Sequence, residues 1–256
     1  MNPMLLGLVI VVVASVLVGG IVVLQQRFSP PQNREGYNEV TGSVFEIISV
    51  LYAIVLAFVL IAVWEQRSDA RTVSYNESNA LVDVYWSASD LPRPEADKLK
   101  GLCRDYANLA IDHEWPDMAK EREVGDSGWN VIDAMHHEVD KGLPGNDQVS
   151  QEKNDSASEA LDTLSQARDD RLNAAVGGLT GVMWLVLIAG ALLMLGILLL
   201  FGVPGRMAHV VVVVIAAAMV VLLLYSVFEL EYPFSRGVAL GPDAFTQALE
   251  RMRQIG

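Results

Sequence analysis

The stretch SVFEIISVLYAIVLAFVLIAVWEQR, Ser43 to Arg67, decides the fold. Its 18 residues from Ile47 to Trp64 carry no charge, enough for a helix to cross a hydrocarbon layer ~30 Å thick. No helix breaker follows until Pro92. One helix of nearly fifty residues is therefore expected to run from lipid into water. Beyond Glu65 its apolar positions thin to a stripe of Val73, Ala80, Leu81, Val84 and Tyr85, as an amphipathic helix requires.

Three further uncharged runs have the same meaning: 21 residues from Met4 to Leu24, 34 from Leu172 to Gly205 and 22 from Met207 to Phe228. They account for a composition that is 52% hydrophobic with mean hydropathy +0.33 in a 256-residue chain. The first run has no basic residue ahead of it and no small-x-small site behind it, and reads as a retained anchor. The expected fold is an all-α membrane protein of four transmembrane helices, with an acidic helical bundle between the second and the third. The expected divisions are 1–64 (spans about 4–24 and 43–64), 65–178 (the bundle), 179–229 (spans about 179–202 and 207–229) and a tail, 230–256.

The net charge of -13 is concentrated in the bundle, where 24 acidic residues face 12 basic ones between Glu65 and Gly178. Such a surface repels nucleic acid and attracts cations. Pro92-Arg93-Pro94 separates the long helix from one carrying Leu99, Leu102, Tyr106, Leu109 and Ala110, which is expected to stop near Trp115-Pro116. A helix from about Trp129 to Lys141, closed by Gly142 and Pro144, comes next. The last helix, after Asn146-Asp147, carries Ala157, Leu161, Leu164, Ala167, Arg168 and Leu172. Turns are expected at Pro30-Pro31 and at Val203-Pro204-Gly205-Arg206, the second making spans three and four a hairpin.

Glu46 is the most informative single residue, because a carboxylate in or near a span costs free energy unless it meets water, a partner or a proton. Steps of three or four along the helix give Gly42, Glu46, Ser49, Ala53 and Ala57, a small-and-polar stripe opposite large apolar residues. The stripe has two open readings: the lining of a water-filled axis in a homo-oligomer, or a face for close helix packing. A ring of Glu46 carboxylates favours cations. The plainer alternative places Glu46 at the headgroup level, in a first turn favoured by the helix dipole.

Other chemistry is thin. His113-Glu114 and His136-His137-Glu138 lack the spacing that puts two imidazoles on one helix face, so surface histidine is the default. No phosphate loop, nucleophile elbow or paired acids is present, and no enzyme activity, catalytic residue, metal site or cofactor is expected. The lone Cys103 sits among Leu99, Leu102 and Tyr106 and reads as a buried thiol. His209 opens the fourth span and is expected at the interface. Trp64, Tyr232 and Phe234 are expected to anchor spans there as well. A short amphipathic helix, Asp243 to Arg253, presents Phe245, Ala248, Leu249 and Met252 to the bundle, a neighbouring subunit or the membrane. Arginine counts near the spans, Arg67, Arg71, Arg168, Arg171 and Arg236 against Arg27, Arg34 and Arg206, put the bundle and both termini in the cytoplasm of a cell whose inner membrane holds the protein.

Leu51 to Phe58 running to Trp64-Glu65, then Ala70, Glu77 to Leu81, Glu114-Trp115-Pro116, Arg168 to Leu172 and Leu230 to Phe234, taken in this order, resemble the bestrophin-like bacterial membrane proteins. The resemblance spans nearly the whole chain. It implies a relation to pentameric ion channels with four spans per subunit and a pore lined by the second. It also implies the bilayer, other copies of the chain and inorganic ions as partners. Animal bestrophins bind calcium through acids after a Pro-Phe-Gly turn; here Pro233-Phe234 is followed by Ser235-Arg236-Gly237, so that calcium site does not carry over. Nor does their anion selectivity, since Glu46 and the acidic bundle point to cations. The reading to set beside the channel is a non-enzymatic sensor or scaffold whose helical domain binds a ligand or partner.

Overall fold

A computed structural model describes residues 3–28, 36, 38–142, 148–202 and 205–255. The turns expected at Pro30-Pro31 and Val203-Pro204, together with Pro144 and Asn146-Asp147, lie outside the described residues. The chain divides into a membrane unit, Met1–Glu65 with Gly178–Glu231, and a helical unit, Gln66–Gly177 with Tyr232–Gly256.

The membrane unit contains α1 (Pro3–Phe28), the first half of α2 (Asn38–Ser87), α7 (Gly181–Leu200) and α8 (Arg206–Leu230). Each of the four is long and apolar enough to cross a membrane. Their outward faces are apolar, with Leu17, Phe58, Leu192 and Ile215 all exposed, as befits helices whose solvent is lipid. Tyr52, Leu56, Val59 and Val63 of α2 pack against Leu187, Ala191 and Met194 of α7 and Val220 and Val227 of α8. Close approach depends on glycine: Gly190 lies under the Tyr52 ring, and Gly7 of α1 under Tyr225 of α8, whose hydroxyl donates to the Pro3 carbonyl at 2.6 Å.

Few polar ties hold these helices in register. Asn38 at the start of α2 donates to the Gly202 carbonyl and accepts from the Gly202 N–H, both at 2.8 Å. The Glu231 carboxylate accepts from the Leu179 N–H at 3.1 Å and from the Trp184 indole at 3.0 Å. His209, near the start of α8, faces into the helix packing. It is buried, with Nε2 3.0 Å from the Leu198 carbonyl and Nδ1 3.3 Å from Gln26 Nε2, because those two partners satisfy both ring nitrogens inside the helix packing.

The helical unit takes α2 onward to Ser87, a 3₁₀ turn (Ala88–Asp90), α3 (Arg93–Leu109), α4 (Trp115–Lys120), α5 (Ser127–Gly142), α6 (Gln148–Val176) and α9 (Asp243–Ile255). α2 is thus one helix of 50 residues, as the lack of a breaker demands. The uncharged run from Leu172 is not one helix. α6 ends at Val176 ahead of Gly177-Gly178, and Thr180 caps α7 by accepting from the Met183 N–H.

The expected stop at Trp115-Pro116 does not occur. Ala110–Glu114 forms a π-helical turn joining α3 to α4, in which the Trp115 N–H donates to the Ala110 carbonyl five residues back. Pro116 then falls in the first turn of α4, where a missing N–H costs little. The tail helix α9 buries Phe245, Ala248 and Met252 in the core formed by Leu81, Tyr106 and Trp115, so the bundle is the surface it uses.

Candidate functional site

On α2 the five stripe residues share one face. Gly42 and Ser49 are half-buried, while Glu46, Ala53 and Ala57 are exposed in the single chain. The Ser49 hydroxyl turns back on its own helix, donating to the Phe45 carbonyl at 2.6 Å. Ser49, Ala53 and Ala57 line an apolar groove of about 290 Å³ whose far wall is Met219, Val220 and Leu223 of α8. Its edge carries the buried Tyr52 hydroxyl, which finds no hydrogen-bond partner among the described residues. Glu46 lies outside that lining.

A second constellation lies in the helical unit, made of residues that the sequence places up to 94 positions apart. Glu77 on α2, Glu114 on the π turn, and Arg168 and Arg171 on α6 form a charge-balanced cluster with almost no exposure. Arg168 grips Glu114 with two nitrogens, at 2.7 and 3.1 Å, and also donates to the Tyr106 hydroxyl at 3.0 Å. Arg171 reaches both acids, donating to Glu77 through Nε and Nη2 and to Glu114 at 2.6 Å. Tyr106 closes the circuit by donating to Glu77 at 2.5 Å.

Aromatic rings wall the cluster in. Arg168 lies 5.1 Å from the Trp129 ring and Arg171 5.2 Å from that of Trp115, at cation-π distance. Gly128 sits directly against the Arg168 guanidinium, where any Cβ would collide.

Burial alone would raise the Glu114 carboxyl. The hydrogen bonds and charges of Arg168 and Arg171 outweigh burial and hold it below the ordinary carboxylate value. Burial, then the neighbouring Glu77, pushes the Tyr106 phenol far up, so it serves as a neutral donor. With every charge matched and no solvent face, the cluster acts as a clamp joining α2, the π turn and α6. The stretches that carry the family resemblance include Glu77, Glu114, Arg168 and Arg171 and assign them no role. The available signal was Arg168 and Arg171 standing one turn apart on the same α6 face as Leu161 and Leu164.

Of the expected anchors, Trp64 is exposed on α2, but Phe234 is buried in the helical core, edge-on to Trp115 at 5.5 Å. The segment folds back on itself: the Leu240 N–H donates to the Pro233 carbonyl at 2.8 Å, and the Trp115 indole donates to the Leu240 carbonyl at 2.9 Å. Tyr232 is half-buried, with the Arg122 guanidinium 3.6 Å above its ring. Glu114 is taken by the clamp, and Glu138 by Lys98 at 2.8 Å and Lys141 at 3.2 Å. Among the described residues no three His, Cys, Asp or Glu side chains gather as metal ligands would. Cys103 is buried, which pushes its thiol well above the ordinary range.

Comparison with solved structures finds the same fold in a bacterial bestrophin homolog from Klebsiella pneumoniae. Identity is 15%, with 96% of each chain covered and a TM-score of 0.70. A point variant of that protein gives 14% identity, 97% and 98% coverage and a TM-score of 0.72. A variant of a solved membrane protein gives 15% identity, 94% and 96% coverage and 0.70. No curated protein matches the sequence. The Bestrophin-like domain model matches residues 12–245, nearly the whole described chain, and the protein therefore belongs to the Bestrophin-like family.

Proposed function

We propose that the chain assembles as a homo-pentameric ion channel whose pore is lined by α2, with a preference for cations set at Glu46. The observation that carries this reading is the α2 stripe: Glu46, Ala53 and Ala57 are exposed in the single chain and so are available to face a shared axis. Family membership and the fold shared with bestrophin homologs support it. In this arrangement Glu46 supplies a ring of carboxylates. Ser49, Ala53 and Ala57 form a narrow wall below it, and Trp64 anchors the span at the membrane surface. The helical unit and both termini are assigned to the cytoplasm of a cell whose inner membrane holds the protein, and no catalytic role is assigned.

The test is current through the purified protein in a planar bilayer with asymmetric KCl. Discrete cation-selective openings are expected, with a reversal potential that moves toward zero in Glu46→Gln. A second readout uses thiol reagents from the aqueous side: Ala53→Cys is expected to react and block current. Background from Cys103 is low because that thiol is buried and held protonated. Silence from folded, inserted protein would transfer the assignment to a ligand-binding sensor or scaffold, a reading favoured by a polar cleft in the helical unit.

A further inference from the structure

That cleft, of about 250 Å³, is lined by Arg67, Arg71, Ser74 and Tyr75 of α2 and by Gly241 and Asp243 at the start of α9. Arg67 and Arg71 stand four residues apart on one helix face, so both guanidiniums reach the same space. Neither is ion-paired among the described residues. Arg67 Nη1 is enclosed by protein and has no hydrogen-bond partner there, a state that costs free energy unless something fills it. Burial, and the Arg71 charge beside it, hold Arg67 below the usual arginine range.

Hydroxyls complete the lining. Tyr75 accepts from Gln247 at 3.2 Å, which leaves its own proton free to donate. The Arg71 guanidinium lies 5.8 Å from the Tyr75 ring. Asp243 is the one acid, so the cleft carries a net positive charge inside a unit that is otherwise strongly acidic. The contrast with Arg168 and Arg171 is direct: that pair has two carboxylates, and this pair has none within salt-bridge reach among the described residues.

We infer that this cleft binds a phosphate group, held between the Arg67 and Arg71 guanidiniums with Tyr75 donating to a third oxygen. Planar guanidinium forks match phosphate oxygens two at a time. Two sources of the group fit. One is free inorganic phosphate. The other is a phospholipid headgroup, since Arg67 follows Trp64 by three residues, about 4.5 Å of helix rise. The inference does not rest on the channel reading, and its readout is binding rather than current.

The experiment uses the full-length protein in two arms. In mild detergent, inorganic phosphate is titrated by calorimetry into wild type, Arg67→Gln, Arg71→Gln and Asp243→Asn. In nanodiscs of phosphatidylcholine doped with phosphatidylglycerol, the phosphatidylglycerol retained through re-extraction is counted by mass spectrometry for the same four proteins. Saturable phosphate binding weakened at least about tenfold by either arginine change, and tightened by Asp243→Asn, identifies the free anion. Phosphatidylglycerol retained by wild type and lost in the arginine variants, with more retained in Asp243→Asn, identifies the headgroup. Binding in neither arm, or binding indifferent to all three substitutions, overturns the proposal. Should an arginine variant fail to fold, Asp243→Asn decides alone: no tightening in either arm refutes it.

Discussion

In the membrane unit glycines lie under tyrosine rings, Gly7 under Tyr225 and Gly190 under Tyr52. In the helical unit guanidiniums are wedged among carboxylates and tryptophans. The difference follows from the solvent. Lipid gives helices no hydrophobic reason to associate, so the membrane unit gains from shape and from a few polar ties such as Asn38 with Gly202. Water drives apolar burial in the helical unit, which can therefore accommodate four charges in its core provided each is matched. Small residues mark close approach in both units, as at Gly7 and Gly128, but only the helical unit adds a buried cluster of opposite charges.

The contrast is most sharply exposed by Arg171→Leu. It leaves Glu77 and Glu114 facing each other without their shared cation, and should destabilise the helical unit by about 3–5 kcal/mol. Thermal unfolding followed by the fluorescence of Trp115 and Trp129, both beside the clamp, measures it; a loss below about 1 kcal/mol would mean the clamp is incidental. In the membrane unit Gly7→Val forces the Tyr225 ring away from α1 and should cost about 1–3 kcal/mol. The readout is resistance of the detergent-solubilised protein to unfolding, with the signal from the helical unit unchanged. Acid should separate the two units more gently. Glu114 titrates below its unfolded value of about 4.5, so the stability it lends is complete above that pH and is lost as pH falls through the folded value. The helical unit is expected to soften first in a titration from pH 6 to 3, a trend that Glu114→Gln should flatten.

Much of this was legible in the sequence because periodicity and breakers are local signals. The uncharged runs gave the spans, and the stretch from Ser43 to Leu91 without proline gave the length of α2. What escaped was settled by partners distant in the chain. Phe234 looks like an interfacial aromatic until Trp115, 119 residues earlier, is seen to pack against it. Nothing local to His209 shows that Gln26 and Leu198 take both of its nitrogens. Arg168 and Arg171 look like free charges flanking a span because their acids lie 54 to 94 residues away. The α2 stripe was visible from spacing alone, but the apolar wall that α8 sets opposite it was not.

The π turn at Ala110–Glu114 makes the register of one side of the clamp a matter of phase. It holds one residue more than an α-helical path would need, so everything downstream on α4 is rotated by about 100° from where α3 would have carried it. Glu114 and Trp115 reach the arginines only because of that extra step. A chain shortened by one residue anywhere between Ala110 and His113 would keep every clamp side chain and its chemistry. It would nonetheless aim Glu114 and Trp115 away from Arg168 and Arg171, so along this helix length is a stricter constraint than composition.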